Sequence, residues 1–415
     1  MSREMKDSGV EWIGEIPADW DICKIDSLYF PRSTKVSDKD YPPLSVTMKG
    51  IVPQLATTAK TDDHDNRKLV KKGDFAINSR SDRRGSCGIS EYDGSVSLIN
   101  TVLQPRHGMN NEYYNWLFHS DMFSSEFYRL GHGIVDDLRT TSWQEMKKMV
   151  IPAPSPTEQQ QIVHFLDRKC TAIDTAIEKT KESIEKLEEY KKAVITKAVT
   201  KGLDPDAKMK DSGIEWIGEV PETWDVKRIK YACLERKEKK IFKDAPNRYI
   251  GLENVESYTG HFIETESTYL PGVYDVCYEN DILFGKLRPY LAKVIMAPYE
   301  AACTGEFLII KNFVGEIKFL FYWLANKEFV KAVDVSTYGA KMPRANTEFI
   351  MNLPICLPSD KEQQQILSYL DDKCASIDVL ISKKQDAINK WEEYKKSLIY
   401  YAVTGKIDCR NEAVK

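Results

Sequence analysis

The chain has 415 residues, a formal net charge of −4 and an apolar content of 42%. This length is enough for two or more domains with cores of their own, and the small net charge excludes an overall electrostatic drive toward nucleic acid or membrane. No segment approaches the roughly 18 apolar residues of a membrane span. Nine dispersed cysteines without a CxxC pair indicate reduced thiols rather than a disulfide framework. We therefore expect a soluble cytoplasmic protein.

The chain opens on a stretch that it repeats near its middle. "MKDSGVEWIGEIPADWD" begins at Met5, and "MKDSGIEWIGEVPETWD" begins at Met209. Over 5–22 and 209–226, 13 of 18 residues are identical at an offset of 204. We call these stretches the Trp–Gly blocks. A period of this length indicates duplicated domains, because solenoid repeats are usually about 20–50 residues long.

Each Trp–Gly block is followed by an insert, 27–152 in the first half and 231–356 in the second. Both inserts contain, in the same order, an apolar strand after an Asp step, an aromatic-rich helical stretch and a loop running from glycine to arginine. These segments are "KGDFAINSR" from Lys72, the stretch from Glu112 and the loop 133–139, matched by "ENDILFGKLR" from Glu279, the stretch from Ile317 and the loop 339–344. The pattern predicts two inserts of one fold with different surfaces.

A long helix is predicted after each insert. "TEQQQIVHFLDRKCTAID" from Thr157 matches "KEQQQILSYLDDKCASID" from Lys361, again at an offset of 204. The first stretch has no Pro or Gly before Gly202, so a helix of over 40 residues, roughly 60–65 Å long, is expected. Thr157 is the candidate N-cap of the first helix. Ser359 and Asp360 are the candidates in the second.

The apolar residues of both helices recur with heptad spacing, which Thr180 and Lys191 interrupt. Pairing the two helices in antiparallel orientation would bury both apolar stripes. The alternative is that each helix packs on its own domain as an ordinary core helix, although such helices rarely run this far without a break. The predicted pairing residues are Leu166, Ile173, Ile177, Ile184, Leu187 and Val194 in the first helix and Leu370, Ile377, Ile381, Ile388 and Leu398 in the second.

The Trp–Gly blocks are interpreted as joints between helix and insert. The second block follows the first long helix, so a pseudo-two-fold would place the first block near the end of the second helix, at "TGKIDCR" from Thr404. That arrangement would close the chain into a pseudo-circular object. The tryptophans either seat each joint against the insert or form a partner-docking surface, and both readings stay open. They are Trp12, Trp20, Trp216 and Trp224.

A catalytic constellation is absent from the sequence. There is no phosphate loop, no GxGxxG after a strand and no GxSxG elbow. The six histidines are neither clustered nor at metal-ligand spacing. We therefore predict no catalytic residues, no metal site and no cofactor on this chain.

Basic loops in both inserts are the remaining functional signal. Arginine and lysine beside small or aromatic residues can contact phosphates and guanine edges. Solvated loop charges are the competing explanation, about as probable for any one residue taken alone. The predicted DNA-binding residues are Arg80, Arg83, Arg84 and Arg139 in the first insert and Lys286, Arg288, Tyr290, Lys293, Lys341 and Arg344 in the second.

Three motifs make the chain resemble the DNA-specificity subunits of type I restriction–modification systems. They are "EWIGEIPxxW", "IPxPxxxEQQQI" and "GKLRPYLAK", and the resemblance covers nearly the whole chain. The first insert lacks the third motif, so its contact residues are less defined. The resemblance implies an α+β fold class: two mixed α/β target recognition domains joined by two long antiparallel coiled-coil helices, with a pseudo-two-fold internal repeat.

The same resemblance implies domain boundaries and partners. The expected segments are the two recognition domains with their blocks, 1–156 and 205–360, and the two spacer helices, 157–204 and 361–415. Each recognition domain would read one half of a bipartite, asymmetric site in double-stranded DNA. Two methyltransferase subunits and the restriction/translocase subunits would dock on the frame. S-adenosylmethionine, ATP and Mg are expected on those partners only.

Two other classes of function remain open at this stage. A coiled-coil structural or adaptor protein with two protein-binding domains would share the long helices, but it would need no basic loops on equivalent faces of both inserts. An enzyme with an unrecognised site is the third class, and the missing motifs argue against it.

Overall fold

The computed structural model of the chain describes residues 3–54, 64–133, 139–246, 248–265, 270–339 and 341–410. The chain forms two compact units. Unit 1 comprises Met1–Thr180 and Gln385–Lys415, and unit 2 comprises Lys181–Lys384. Each unit therefore contains one Trp–Gly block, one insert, the N-terminal half of one long helix and the C-terminal half of the other.

Unit 1 contains mostly short strands, followed by helices. The strands are β1 (Met5–Asp7), β2 (Glu15–Pro17), β3 (Asp21–Lys24), β4 (Tyr29–Pro31), β5 (Lys35–Val36), β6 (Leu44–Thr47), β7 (Gly50–Pro53), β8 (Arg67–Val70), β9 (Phe75–Asn78), β10 (Cys87–Ile89), β11 (Gly94–Ser97), β12 (Asn100–Pro105) and β13 (Val150–Ala153). The helices are α1 (Asn111–Phe118), α2 (Asp121–Arg129), α3 (Trp143–Met146) and the long α4 (Pro156–Lys201), which continues into unit 2.

Unit 2 has the same order of elements, except that a single strand stands in place of β6 and β7. Its strands are β14 (Met209–Asp211), β15 (Glu219–Pro221), β16 (Asp225–Arg228), β17 (Leu234–Glu235), β18 (Lys239–Phe242), β19 (Tyr249–Ile250), β20 (Gly272–Cys277), β21 (Ile282–Gly285), β22 (Val294–Met296), β23 (Ala301–Cys303), β24 (Phe307–Lys311) and β25 (Pro354–Leu357). Its helices are α5 (Ile317–Ala325), α6 (Lys327–Val335), α7 (Thr347–Asn352) and the long α8 (Asp360–Val403), which continues into unit 1.

The two units share their sheet topology. A four-stranded sheet has the order β10-β9-β12-β4 in unit 1 and β22-β21-β24-β17 in unit 2. A second sheet contains β11-β8-β5 in unit 1 and β23-β20-β18 in unit 2, where β19 adds a parallel strand. The predicted α+β fold class with an internal repeat is therefore confirmed. The strand registers also define which residues of the two dissimilar inserts correspond.

The Asp step that the sequence shows before each apolar strand has a structural role. Asp74 accepts two hydrogen bonds from the guanidinium of Arg32, with Nε–Oδ2 2.5 Å and Nη2–Oδ1 3.0 Å. Asp281 receives the same pair from Arg236, at 2.6 and 3.1 Å. Each carboxylate also accepts a backbone N–H three residues upstream. A buried carboxylate needs such partners, so this pair belongs to the shared frame of the two units.

Both long helices are confirmed, with 46 residues in α4 and 44 in α8. The predicted N-cap Thr157 is wrong. Helix α4 begins at Pro156, and the hydroxyl of Ser155 accepts the N–H of Glu158 at 3.3 Å. Proline is favoured at the first helical position because its missing N–H has no helical acceptor there. In α8 the predicted Ser359 holds the equivalent place.

Ion pairs join the two long helices in antiparallel register within each unit. In unit 1 Lys395 Nζ lies 2.6 Å from Asp174, and in unit 2 Lys191 Nζ lies 2.7 Å from Asp378. The two pairs correspond at the offset of 204, because 174 + 204 = 378 and 191 + 204 = 395. Lys191, which interrupts the heptad pattern, is thus the cation of a register-setting pair.

The predicted pairing residues are all at least partly withdrawn from solvent. The long helices pack both on each other and on the domain cores, so both explanations hold. The main core of each unit contains residues of both helices, such as Leu166 and Leu398 in unit 1 and Val194 and Leu370 in unit 2. Ile177, Ile377 and Ile388 are also buried. Ile173, Ile184, Leu187 and Ile381 are half-buried.

The Trp–Gly blocks lie against the helix ends, as the pseudo-two-fold predicts. In unit 1 the indole N–H of Trp20 donates to Glu158 at 2.9 Å, and in unit 2 that of Trp224 donates to Glu362 at 2.9 Å. Both indoles are almost completely buried. Trp12 is also buried and packs edge-on against Phe123. These three tryptophans therefore seat the joint and present no exposed docking surface.

The end of each long helix completes its joint. Lys406 donates to the carbonyl of Ile13 at 3.0 Å, and Lys201 donates to that of Ile217 at 2.9 Å. The glycine next to each lysine, Gly405 in unit 1 and Gly202 in unit 2, has a positive φ, which is favoured at a helix C-terminus. A Cβ at Gly405 would lie 2.9 Å from Trp20. The lysine and glycine stand in opposite order in the two copies, yet both copies form the same contact.

All nine cysteines are free thiols. Eight are buried, and burial raises the pKa of Cys170 to about 11 and that of Cys233 to about 12. These two thiols therefore stay protonated near neutral pH and behave as small apolar core groups.

Candidate nucleic-acid interface

In each unit, two loops of the insert pair through their backbones. In unit 1 the N–H of Ser81 donates to Arg139 O at 3.0 Å, and the N–H of Thr141 donates to Ser79 O at 3.0 Å. His132 and Thr140 also exchange backbone hydrogen bonds. We call this arrangement the loop clasp. The clasp ties the loop after β9 to residues 139–141, and Thr140 in turn pairs with His132. Residues 134–138, which belong to the predicted Gly-to-Arg loop, lie outside the described residues.

Unit 2 contains the same loop clasp. Arg288 N–H donates to Pro343 O at 2.7 Å, Ala345 N–H donates to Lys286 O at 2.9 Å, and Tyr338 pairs with Arg344. By position in the clasp, Arg344 corresponds to Thr140 and Leu287 to Arg80. The clasp therefore presents basic side chains in both units, but at different positions.

The loop that contains "KLRPYLAK" has a strained backbone. A short 3₁₀ turn, Pro289–Leu291, is flanked by Arg288 at φ +50° and Ala292 at φ +46°. Non-glycine residues rarely adopt this conformation, and such strain is concentrated at functional sites. Tyr258 donates its hydroxyl to the carbonyl of Tyr290 at 2.8 Å and braces the turn. The turn leaves the side chains of Arg288 and Tyr290 exposed.

Two predicted basic residues of unit 2 already have partners in the protein. Lys293 Nζ donates to the carbonyl of Leu252 at 2.7 Å, and Arg344 forms a bidentate pair with Glu306, with Nε–Oε2 2.9 Å. Lys286 is half-exposed and Lys341 is exposed. Among the predicted cations of this unit, Arg288 and Lys341 are therefore the most open to a ligand.

Three of the four predicted arginines of unit 1, Arg80, Arg83 and Arg84, lie on the loop after β9. Arg80 Nε lies 3.1 Å from Asp82, and the side chain of Arg83 is 70% exposed. Arg84 lies over the ring of Tyr128 at 5.7 Å, and Arg139 is half-exposed. The structure thus brings all four predicted residues to one clasp.

Exposed apolar side chains accompany these cations, and sequence reasoning missed them. Tyr338 and Met342 are 63% and 62% exposed in the clasp loop of unit 2, and Met48 is 72% exposed at the β6–β7 turn of unit 1. Large apolar groups exposed beside arginine and lysine are typical of surfaces that contact bases as well as phosphates. Their position in Gly-containing loops, rather than in periodic elements, was the available signal.

Within the described ranges, the structure contains no group of three or more His, Cys, Asp or Glu side chains placed to hold a metal ion. Over the same ranges, no helix has the length and hydropathy needed to cross a bilayer.

The described residues thus form a duplicated frame that carries two inserts with dissimilar basic loops. Residues 19–189 and 221–390 match the type I restriction modification DNA specificity domain, and the chain belongs to this family. The two matched segments account for most of the 415 residues. The chain is thus a DNA-specificity subunit of the type I restriction–modification kind, and its role is recognition of a DNA target.

Relatives of this family align with the chain over nearly their whole length. The specificity subunit of the type I restriction enzyme EcoDI from Escherichia coli is 20% identical over 95% of this chain and 90% of its own. The specificity subunit of type I restriction enzyme MjaVIII from Methanocaldococcus jannaschii is 26% identical, with 95% of each chain covered.

Solved structures share the fold. One chain, from a study of complex assembly and conformational transition of the type I R-M system, has a TM-score of 0.70 at 13% identity, covering 94% of this chain and 99% of its own. The HsdS subunit from Thermoanaerobacter tengcongensis has a TM-score of 0.50 at 14% identity, covering 94% of this chain and 98% of its own.

Proposed function

We propose that this chain reads a bipartite, asymmetric DNA site. One half-site is read by the target recognition domain of unit 1, within 1–156, and the other by that of unit 2, within 205–360. The chain itself carries no catalytic residues in this proposal. Two methyltransferase subunits and the restriction/translocase subunits dock on the frame and supply the chemistry.

The observation that carries the proposal is the contrast between frame and inserts. The joint contacts Trp20–Glu158 and Trp224–Glu362 recur with the same geometry, and the helix ion pairs recur at the same offset. The clasps recur in backbone but differ in side chains. A symmetric frame suits two copies of a partner, whereas dissimilar clasps suit two different base sequences.

Charge balance supports a division of labour in the complex. The chain has 59 Lys and Arg against 63 Asp and Glu, so it supplies little of the nonspecific attraction to phosphates. Base-edge contacts specify sequence, while phosphate contacts set register. We infer that the partner subunits contribute much of the nonspecific affinity and that this chain contributes sequence choice.

The test of the proposal is an exchange of recognition domains. Residues 231–356 are replaced by the equivalent insert of another specificity subunit, and the chain is co-expressed with the neighbouring methyltransferase in a methylation-free host. Single-molecule sequencing of modified adenines is expected to show one half-site changed and the other retained.

A matched control replaces 231–356 with 27–152 of the same chain, which should yield a site built from two copies of one half-site. A change in both half-sites after the foreign exchange would contradict independent reading. Methylation that ignores sequence altogether would favour the adaptor alternative.

Arg288 is expected to matter more than other exposed cations of unit 2. We expect Arg288→Glu to weaken DNA binding by the assembled complex about tenfold, because one favourable contact becomes repulsive. Fluorescence anisotropy of a labelled duplex at two salt concentrations measures the effect.

Lys237→Glu is the charge-matched control, since Lys237 is an exposed cation that pairs with Glu235 and is not one of the clasp residues. Equal losses for the two variants would show a general charge effect and would remove Arg288 from the interface.

A further inference from the structure

Unit 1 contains an open cleft of about 910 Å³ beside its loop clasp. One wall is the β6–β7 turn, including Met48, and the other is the loop after β9, including Arg83 and Arg84. Arg67, Asn78 and Asn100 also line it. We call this space the recognition cleft and these three residues its polar lining. None of the three was among the residues predicted from the sequence.

Arg67 is a buried cation in this lining. Its side chain donates from Nε to Ser95 Oγ at 2.9 Å and from Nη2 to Ser95 O at 3.0 Å. The residue is 5% exposed, and burial lowers the pKa of its guanidinium. Within the described part of the chain, no carboxylate lies at ion-pair distance from it. A guanidinium has five N–H groups, so this side chain retains donors for a ligand.

Asn100 is a buried acceptor in the same lining. Its Nδ2 donates to the carbonyl of Ser97 at 3.0 Å, which orients the amide. Its Oδ1 is buried and has no hydrogen-bond partner among the described residues. Buried polar groups normally have partners, and one without a partner calls for an explanation. The lining of the cleft thus includes a cation with donors to spare and an asparagine whose side-chain oxygen is buried and has no partner among the described residues.

Unit 2 shows that the fold does not require this polar lining. In unit 1 Asn78 pairs with Asn100, and at the same place in the sheet of unit 2 Gly285 pairs with Phe307. The strand pairing of the second sheet continues this correspondence. The unit 1 residues are Arg67, Asn78, Ser95 and Asn100, and their unit 2 counterparts are, in the same order, Tyr274, Gly285, Ala302 and Phe307. The same sheets therefore form in unit 2 without the charged and amide groups.

We propose that the recognition cleft reads one base pair of the half-site bound by unit 1. On binding, the Asn100 side chain turns toward the cleft, and its Oδ1 accepts a hydrogen bond from the exocyclic amino group of an adenine or a cytosine. Arg67 donates to the acceptor on the neighbouring edge of the same pair. This inference rests on the proposed function and names residues that determine the specificity of its first half.

The chemistry predicts which wrong base the cleft rejects. In the major groove, adenine and cytosine present an amino donor where guanine and thymine present a carbonyl acceptor. A transition at the contacted position therefore places two acceptors face to face at Asn100. Discrimination against that transition should depend on the Asn100 oxygen. Recognition of the second half-site should not depend on it.

The experiment uses Asn100→Leu and the double variant Asn78→Gly/Asn100→Phe in the full chain, co-expressed with the methyltransferase. The double variant introduces the pair around which unit 2 already folds, so it guards against misfolding of the single variant. Leu103→Ile is the matched control, because Leu103 lies on the same strand and is buried in the core, and Ile310 is its unit 2 counterpart. Thermal unfolding verifies that each variant is folded, and an assembly assay verifies that each forms the complex with the methyltransferase.

We expect methylation of sites that carry one transition in one half-site to rise about tenfold relative to the original site in both Asn100 variants, as a single mismatch typically costs about this much. The other half-site and the Leu103→Ile motif should be unchanged. An unaltered methylation motif in both assembled variants would overturn the inference. A uniform loss of methylation at all sequences would also overturn it, because that result would indicate a phosphate contact. The exchange of 231–356 tests bipartite reading separately, so that proposal can stand when this one fails.

Discussion

A heptad inserted into each long helix is expected to lengthen the gap between the half-sites and leave both half-site sequences unchanged. The insertion points are after Thr180 and after Lys384, which correspond at the offset of 204 and coincide with the boundaries of the two units. Seven residues add about 10 Å of helix, or about three base pairs at 3.4 Å each. A whole heptad keeps the apolar stripe on the same face. Methylome sequencing of the expressed complex reads the gap and both half-sites directly.

The control is the same heptad in α4 alone. Pairs such as Asp174–Lys395 and Lys191–Asp378 hold one antiparallel register, and a one-sided insertion shifts one helix against that register. We expect poor assembly from this variant. If the two-sided insertion altered the half-site sequences while the gap stayed constant, the helices would not be the spacer.

Trp224→Ala is expected to lower the free energy of unfolding of the chain by about 3–5 kcal/mol, the usual cost of removing a large buried aromatic. Trp224 is 0% exposed and donates to Glu362 at 2.9 Å. The substitution leaves a cavity against the helix end and removes the donor to a partly buried carboxylate. Denaturant unfolding followed by circular dichroism measures the loss.

Two variants separate the parts of this effect. Trp224→Phe retains most of the apolar volume and loses only the indole N–H, so a smaller loss is expected. Trp216→Ala, at a half-buried position of the same block, should also cost less. Wild-type stability for Trp224→Ala would show that the joint does not support the unit.

Several features could be predicted because they are periodic or repeated. The offset of 204 indicated two copies of one frame, and the absence of Pro and Gly before Gly202 indicated a first helix of over 40 residues. The two long helices have 46 and 44 residues. The pseudo-two-fold placed the first Trp–Gly block near the end of the second long helix, where Lys406 contacts Ile13. The cap at Ser155 was missed because proline at the first helical position moves the helix start one residue upstream of Thr157.

Candidate recognition residues could be predicted only in part. Basic loops are visible as composition, so Arg80, Arg83, Arg84 and Arg288 were identified as candidates. Tertiary structure showed that Lys293 and Arg344 also make contacts within the protein. The polar lining of the cleft was missed because Arg67 and Asn100 are the first residues of their strands, where the sequence alone does not reveal that a polar side chain is buried.

The sequence by itself determined the duplication, the long helices and the division into constant frame and variable inserts, because these depend on repeat offset and on local periodicity. Tertiary structure alone decided which insert residues correspond, which cations stay exposed and which buried polar groups lack a partner. The reason is physical. The joint contact of Lys406 with Ile13 spans 393 residues of chain, and burial or exposure of a charge depends on such distant neighbours rather than on adjacent letters.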